Sequence, residues 1–236
     1  MDEHSKEEKY LFYTIDLLKK YDISYWITDG TLLGIIREDR LLPWDGDIDI
    51  AIWKDEVNLP WLLKILEDNG YELEKILPEM DCIHLFIDGI KIDISLYQSN
   101  DIEFKIKWAT FPENIIDKIM LTVTNVIFHN KYEQVSLNKY SVKNILKNII
   151  IFISKVFTEK FKIRLFQYAR KLYKYIGSVY PNNLRLFKTI TFRDKDIVVP
   201  QDSEEYLRLT YGNDWKIPNK DYIWEEDTYN LKEMND

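Results

Sequence analysis

One stretch near the start of the chain reads DGDIDIAI (residues 45–52), in which aspartates and isoleucines alternate with a period of two. On a β-strand this period places Asp47 and Asp49 on one face and the isoleucines on the other, where a core can bury them. The two carboxylates would lie roughly 7 Å apart along the strand and repel each other unless a cation lies between them. The stretch therefore predicts a core strand that presents two acids to Mg²⁺ or Mn²⁺. A polar strand edge that faces water is the alternative.

The residues before this strand predict a phosphate-binding turn. Residues 25–28 are β-prone, and the chain then breaks at Asp29-Gly30 and continues as a predicted helix from Thr31. At such a helix start, backbone N–H groups at Gly30 and Thr31 are able to bind phosphate oxygens. Arg37, further along the same helix, can add a charge-assisted contact.

A β-hairpin is predicted further on. Two β-prone runs, residues 82–87 and 90–97, are separated by Asp88-Gly89, which is a strong turn signal for a hairpin. In the second run Lys91 and Asp93 alternate with isoleucines, so these two side chains are expected to share the polar face of that strand.

Two motifs resemble the signature of the LicD/fukutin family of phosphotransferases. The first is GTLLGxxR (residues 30–37) followed by LxPWDxDIDI (residues 41–50), and the second is VPxxxxxYLxxxYGxDWxxP (residues 199–218). The resemblance implies an α+β fold of the polymerase-β-type nucleotidyltransferase kind, with a mixed sheet flanked by helices and a helical insertion. It also implies transfer of a phosphorylated alcohol, such as phosphocholine or ribitol phosphate, from a CDP-activated donor to a cell-surface glycan precursor, as in lipopolysaccharide or teichoic acid modification.

The resemblance also implies a set of site residues. In that fold an acid on a neighbouring strand completes the catalytic pair, and Asp93 matches this position. The expected catalytic residues, which are also the expected metal ligands, are Asp47, Asp49 and Asp93. The expected substrate contacts are Gly30, Thr31, Arg37, Asp45 and Lys91. Three acids around a metal ion suffice for phosphoryl transfer, because charge neutralisation and positioning carry most of the catalysis.

Three other functions remain open from the sequence. Nucleotidyl transfer to a small molecule or sugar uses the same fold and would leave the nucleotide half of the donor on the acceptor. A metal-dependent glycosyltransferase would also use acids at D-x-D spacing and would release a nucleoside diphosphate. A catalytically silent binding module would need no turnover, although such a module has no use for a cluster of mutually repelling acids.

Charge and cysteine content exclude several classes of protein. The net charge is −8, so the chain lacks the basic surface of a general nucleic-acid binder. The single cysteine, Cys82, excludes a disulfide framework and a multi-cysteine zinc site. We expect Cys82 to be a small buried hydrophobe and His84 to be a partly buried imidazole outside the site.

Residues 1–12 contain no apolar signal segment, so a cytoplasmic location is expected.

The remaining segments predict both helices and strands. Helices are expected at residues 6–20, 55–70, 112–119 and 203–209, with strands at 71–76, 121–129, 132–137 and 196–200. Residues 140–176 are expected to form one or two helices.

Three regions are predicted for the chain as a whole. They are a catalytic core at residues 1–138, a basic helical insertion at 139–180 and a C-terminal part of the same catalytic domain at 181–236. Residues 139–174 hold ten Lys or Arg against one acid. A basic helix with an apolar stripe can lie on an anionic membrane, although packing on the core with solvated lysines is more common. The family resemblance implies a glycan or lipid-linked glycan acceptor, which would often lie at a membrane surface. We therefore expect peripheral contact with the inner membrane face through this segment.

Overall fold

The computed structural model describes residues 4–75, 81–110, 112–129, 149–150 and 152–234. The chain divides into two compact units, Met1–Trp108 with Gly177–Glu233, and Ala109–Ile176 with Met234–Asp236. The predicted boundary between residues 138 and 139 lies outside the described residues.

The described strands are, in chain order, β1 (Tyr25–Ile27), β2 (Asp47–Trp53), β3 (Glu72–Lys75), β4 (Cys82–Ile87), β5 (Ile90–Ser99), β6 (Glu103–Thr110), β7 (Lys174–Pro181), β8 (Phe187–Phe192), β9 (Lys195–Pro200) and β10 (Leu231–Met234). The described helices are α1 (Lys6–Lys20), α2 (Asp29–Glu38), α3 (Leu59–Asp68), α4 (Ile115–His129), α5 (Glu159–Arg170), α6 (Ser203–Tyr211) and the single turn α7 (Trp224–Asp227). Short 3-10 turns cover Lys54–Glu56 and Asn182–Arg185.

The main sheet has the order β1-β2-β5-β6-β7-β10. In addition, β4 pairs with residues 90–95 of β5, and β3 pairs with β4. β2 and β5 run parallel, whereas β1 pairs with β2 and β4 pairs with β5 in antiparallel fashion. β8 and β9 form a separate hairpin. Helices α1, α2 and α3 pack against strands of this sheet. The predicted α+β class, a mixed sheet flanked by helices, is confirmed.

The period-two pattern of β2 produces the predicted two-faced strand. Its isoleucines at 48, 50 and 52 are at most 1% exposed, whereas Asp47 and Asp49 stay partly exposed on the other face. The hairpin of β4 and β5 is also confirmed. Asp88 and Gly89 have φ values of 51° and 79°, the two positive angles that a tight two-residue hairpin turn requires.

One predicted element is wrong. Residues 121–129, predicted as a strand, belong to helix α4. The β-branched residues of this stretch favour a strand locally. Tertiary packing overrides this preference, because the helix buries Leu121 against Ala169 and Tyr173. The strand predicted at 132–137 lies outside the described residues. β6, β7 and β8 were not predicted, and β7 takes the last residues of the segment 140–176 that was predicted to be helical.

Among the helices that the structure describes, none is both long and apolar enough to cross a bilayer. Residues 139–148 of the basic segment lie outside the described part of the chain. Contact of residues 139–174 with an anionic membrane stays a prediction.

The closing segment of the chain is tied to the start of α2 by buried tyrosines. The Tyr206 hydroxyl, on α6, lies 2.8 Å from the Thr28 hydroxyl and 3.0 Å from the Tyr97 hydroxyl. The Tyr180 ring stacks on the Tyr206 ring at a centroid distance of 4.4 Å. These four side chains are fully or almost fully buried. They fix the position of Thr28, the residue that precedes α2.

Replacing Tyr206 with Phe should lower the free energy of unfolding by about 1–3 kcal/mol, because buried hydroxyl groups lose their partner. Urea denaturation of the two chains measures the difference. The matched control is Tyr229→Phe, whose side chain is 67% exposed and whose change should stay within about 0.5 kcal/mol. Equal effects of the two substitutions would contradict a structural role for the buried tyrosine cluster.

Candidate active site

The strand register brings the polar side chains together. The parallel pairing of β2 with β5 places Asp47 beside Lys91 and Asp49 beside Asp93. The antiparallel pairing of β4 with β5 places His84 beside Asp93. These side chains face a cleft of about 990 Å³ in the first unit. The cleft is lined by residues from both motifs, such as Gly30 and Arg37 from the first and Tyr211 and Trp215 from the second, and by Asp29 at the start of α2.

Three aspartates form what we call the carboxylate cluster. Asp45, Asp47 and Asp49 each offer one oxygen, and these oxygens all lie within 4.8 Å of one another. Asp49 is held by α2, since the Thr31 backbone N–H donates to Asp49 Oδ2 at 3.2 Å and the Asp49 backbone N–H donates to Thr31 Oγ1 at 2.8 Å. The Asp45 carboxylate lies so close to Gly30 that a Cβ at position 30 would come within 1.9 Å of Asp45 Oδ2.

The acids of this site repel one another. Burial, followed by the charge of Asp47, raises the pKa of Asp45 to about 7. Burial, followed by the charges of Asp29 and Asp47, raises the pKa of Asp49 well above its usual range. Burial also raises the pKa of Asp29 to about 6, with further contributions from Asp47 and Asp93, against the hydrogen bond from Thr28. A divalent cation would relieve this repulsion. Three converging carboxylates fit a hard, oxygen-seeking ion such as Mg²⁺ or Mn²⁺.

Lys91 bridges Asp47 of the carboxylate cluster and Asp93. Its ammonium donates to Asp47 Oδ2 at 2.7 Å and to Asp93 Oδ2 at 2.9 Å. The other oxygen of Asp93, Oδ1, lies 2.8 Å from His84 Nδ1. Burial acts to raise the pKa of Asp93, but the bonds and charges of His84 and Lys91 outweigh it and lower that pKa overall. Asp93 is therefore held as a carboxylate, and its role as a metal ligand stays a prediction.

The predicted substrate contacts all lie at or next to the cleft, although several are engaged by the protein itself. Gly30, Arg37, Asp45 and Lys91 line the cleft. The Thr31 N–H is engaged by Asp49, as described above. The Arg37 side chain is 8% exposed, and its guanidinium donates to the Glu38 carboxylate at 2.8 Å and to the Trp215 carbonyl at 3.1 Å. Contacts of these residues with a phosphate stay predictions.

The cleft includes residues that the sequence did not predict, among them Asp29, Cys82 and His84. Asp29 adopts a positive φ of 44° at the start of α2 and turns towards the other acids. Cys82 and His84 line the same cleft from β4. A signal for His84 was present, because a two-residue turn at 88–89 fixes the hairpin register and pairs His84 with Asp93. For Asp29 the sequence offered no comparable signal.

Replacing Gly30 with Ala should weaken metal binding at least ten-fold with little loss of stability. The added Cβ must push the Asp45 carboxylate out of the carboxylate cluster, and that carboxylate is the free end of a side chain that can move. Mn²⁺ binding followed by electron paramagnetic resonance measures the effect. Gly46→Ala is the matched control, because a Cβ there meets nothing within 4 Å. Equal Mn²⁺ affinity in the two variants would refute the role of Gly30.

The metal-free chain should lose stability as the pH rises from about 4 to about 7. In this window the folded chain binds more protons than the unfolded chain, because folding raises the pKa of Asp29 and Asp45 to about 6 and about 7 from an ordinary value of 3.8. Urea denaturation in EDTA across this range tests the slope. Asp45→Asn should flatten it, and the exposed control Asp55→Asn should not. An unchanged slope in Asp45→Asn would count against the repulsion described here.

Comparison with known proteins supports the family that the motifs resemble. Residues 22–119 match the model of the LicD/FKTN/FKRP nucleotidyltransferase domain. An uncharacterized protein of Rickettsia prowazekii is 39% identical over 79 residues, which span 31% of this chain and 30% of that protein. The human ribitol 5-phosphate transferase FKRP is 24% identical over 108 residues, 43% of this chain and 20% of that protein. The lipopolysaccharide cholinephosphotransferase LicD of Haemophilus influenzae is 24% identical over 243 residues, 86% of each chain.

The Rickettsia protein and human FKRP are each matched over less than a third of their own length. Among solved structures, the lincosamide antibiotic adenylyltransferase LnuA with bound lincomycin is similar at a TM-score of 0.44 and 16% identity, over 85% of this chain and 84% of that one. The matched domain contains both GTLLGxxR and PWDxDIDI, together with the hairpin that carries Asp93. Residues 22–119 of this chain therefore form a domain that is similar to the nucleotidyltransferase domain of the LicD/fukutin family.

Proposed function

We propose that this chain is a metal-dependent transferase that moves a phosphorylated alcohol from a CDP-activated donor to a cell-surface glycan precursor. The observation that carries the proposal is the carboxylate cluster with the Lys91 ammonium beside it, at the base of an open cleft. The names of two relatives, a cholinephosphotransferase and a ribitol 5-phosphate transferase, favour phosphocholine or ribitol phosphate as the transferred group.

In this proposal Asp45, Asp47 and Asp49 hold the metal ion. The sequence had suggested Asp93 as the third ligand, and we assign that role to Asp45 because its oxygen converges with those of the other two. When bound, Mg²⁺ or Mn²⁺ would neutralise charge on the phosphates of the donor.

Lys91 supplies a fixed positive charge next to the metal site. Burial acts to lower the pKa of Lys91, but its bonds to Asp47 and Asp93 raise that pKa overall, so the ammonium stays charged at neutral pH. A phosphate that enters the cleft can accept a hydrogen bond from this ammonium. Lys91 thereby reduces the repulsion between the acids and an anionic donor.

Asp93 orients the acceptor. Its carboxylate remains ionised between Lys91 and His84, and it can accept a hydrogen bond from an incoming hydroxyl. The residues that line the cleft include Trp44, Trp108 and Trp215. Aromatic faces suit a nucleobase, by stacking, and a quaternary ammonium, by cation–π attraction. Both chemical groups occur in CDP-choline.

The test is turnover of CDP-choline and CDP-ribitol with glycan precursors and Mg²⁺, with identification of every nucleotide product. Release of CMP is expected. A nucleotide left on the acceptor would instead indicate nucleotidyl transfer, and a nucleoside diphosphate released from a sugar donor would indicate glycosyl transfer. Failure to bind any nucleotide donor in the presence of metal would contradict the proposal.

Asp47→Asn should reduce CMP release at least a hundred-fold while the fold survives, because the change removes a metal-binding charge at nearly constant volume. Relief of carboxylate repulsion should make the metal-free variant no less stable than the wild type. Asp55→Asn, an exposed aspartate in the 3-10 turn after β2, is the control and should keep full activity. Full activity in Asp47→Asn would refute the metal assignment.

A further inference from the structure

The hairpin of β4 and β5 presents a second group of metal ligands on the far side of Asp93 from the carboxylate cluster. Cys82, His84 and Asp93 each offer one ligand atom, and these atoms all lie within 4.8 Å of one another. We propose that this group, which we call the Cys82 site, binds Zn²⁺ or a similar divalent ion that prefers nitrogen and sulfur ligands, and that the bound ion blocks transfer. The blocking effect rests on the proposed function, whereas the binding does not.

The distances are close to those of a tetrahedral zinc site. Cys82 Sγ lies 3.9 Å from His84 Nδ1, and His84 Nδ1 lies 2.8 Å from Asp93 Oδ1. Around tetrahedral Zn²⁺ with ordinary bond lengths, such pairs of ligand atoms are about 3.4 to 3.6 Å apart. Each of these two distances therefore differs from the tetrahedral value by about half an ångström or less.

The strands hold the three ligands in place. Cys82 and His84 are two residues apart on β4 and therefore share a face, and His84 is paired directly with Asp93 on β5. All three residues line the open cleft, so an ion can enter and keep a water molecule or a substrate atom as its fourth ligand. An open fourth position distinguishes such a site from a closed structural one.

The chemistry of the ligands separates this site from the carboxylate cluster. A thiolate and an imidazole favour Zn²⁺ or another late transition metal, whereas three carboxylates favour Mg²⁺ or Mn²⁺. Burial raises the pKa of the Cys82 thiol, so the ion must displace the thiol proton to solvent as the sulfur–metal bond forms. Asp93 can donate Oδ1 to the ion while Oδ2 stays with Lys91.

Occupation of the Cys82 site would interfere with transfer through Asp93. The ion would break the contact between His84 and Asp93 and would take up the carboxylate that is proposed to orient the acceptor hydroxyl. It would also add positive charge beside Lys91. Micromolar Zn²⁺ should therefore inhibit transfer even when Mg²⁺ is in large excess, because the two ions bind different ligands.

The test uses Co²⁺ as a spectroscopic replacement for Zn²⁺ on the full chain in a non-coordinating reductant. One Co²⁺ per chain should produce a thiolate-to-metal charge-transfer band, which Zn²⁺ abolishes and excess Mg²⁺ does not. The chain contains one cysteine, so the band has one possible source. Cys82→Ser should remove the band and weaken Zn²⁺ binding at least ten-fold, and His84→Gln should weaken it similarly. Asp45→Asn, the matched control in the carboxylate cluster, should keep the band.

Two results would overturn the proposal. One is the absence of a charge-transfer band in the wild type with Co²⁺ in excess. The other is equal Zn²⁺ affinity in the wild type and in a folded Cys82→Ser or His84→Gln variant. Neither readout requires activity, so a failure of the proposed function would leave the binding result intact. With an active chain, Cys82→Ser should also resist inhibition by Zn²⁺.

Discussion

The parallel pairing of β2 with β5 is the constraint on which the site depends. It sets Asp47 beside Lys91 and Asp49 beside Asp93, and the buried isoleucines of both strands prevent any slip in that register, since a shift of one residue would turn every acid into the core. The acids repel one another, and burial, followed by the charge of Asp47, raises the pKa of Asp45 to about 7. Lys91 offsets part of this repulsion within the chain, and a divalent cation would offset the rest.

The closing motif of the chain stabilises α2, the helix that borders this site. Tyr206 on α6 holds Thr28 through a buried hydroxyl pair, and the Trp215 carbonyl accepts a hydrogen bond from Arg37 on α2. The first contact fixes the start of α2, where Gly30 leaves room for the Asp45 carboxylate, and the second fixes the last turn of the same helix. The two family motifs, which are far apart in the sequence, thus act on the same helix. This coupling gives Arg37 a structural role in addition to its predicted contact with phosphate.

Sequence patterns predicted those parts of the fold that depend on local signals. The alternation in β2 and the Asp88-Gly89 turn identified the two strands that carry the acids, because each pattern has one good structural solution. Residues 121–129 were misassigned because their β-branched residues favour a strand, whereas tertiary packing of Leu121 selects a helix. Asp29 was missed for a related reason, since its place in the cleft depends on the backbone path at the start of α2. Cys82 and His84 were missed although the hairpin register alone pairs them with Ser95 and Asp93 of β5.

The most direct test of the account is the position of the metal ion. Crystals grown with Mn²⁺ and examined by anomalous diffraction should show an ion bound by Asp45, Asp47 and Asp49, with the Lys91 ammonium still between Asp47 and Asp93. An ion bound between Asp49 and Asp93 with Lys91 displaced would contradict the assignment of Asp45 as a ligand. Absence of an anomalous peak at all of these carboxylates, at saturating Mn²⁺, would contradict a metal-dependent site altogether.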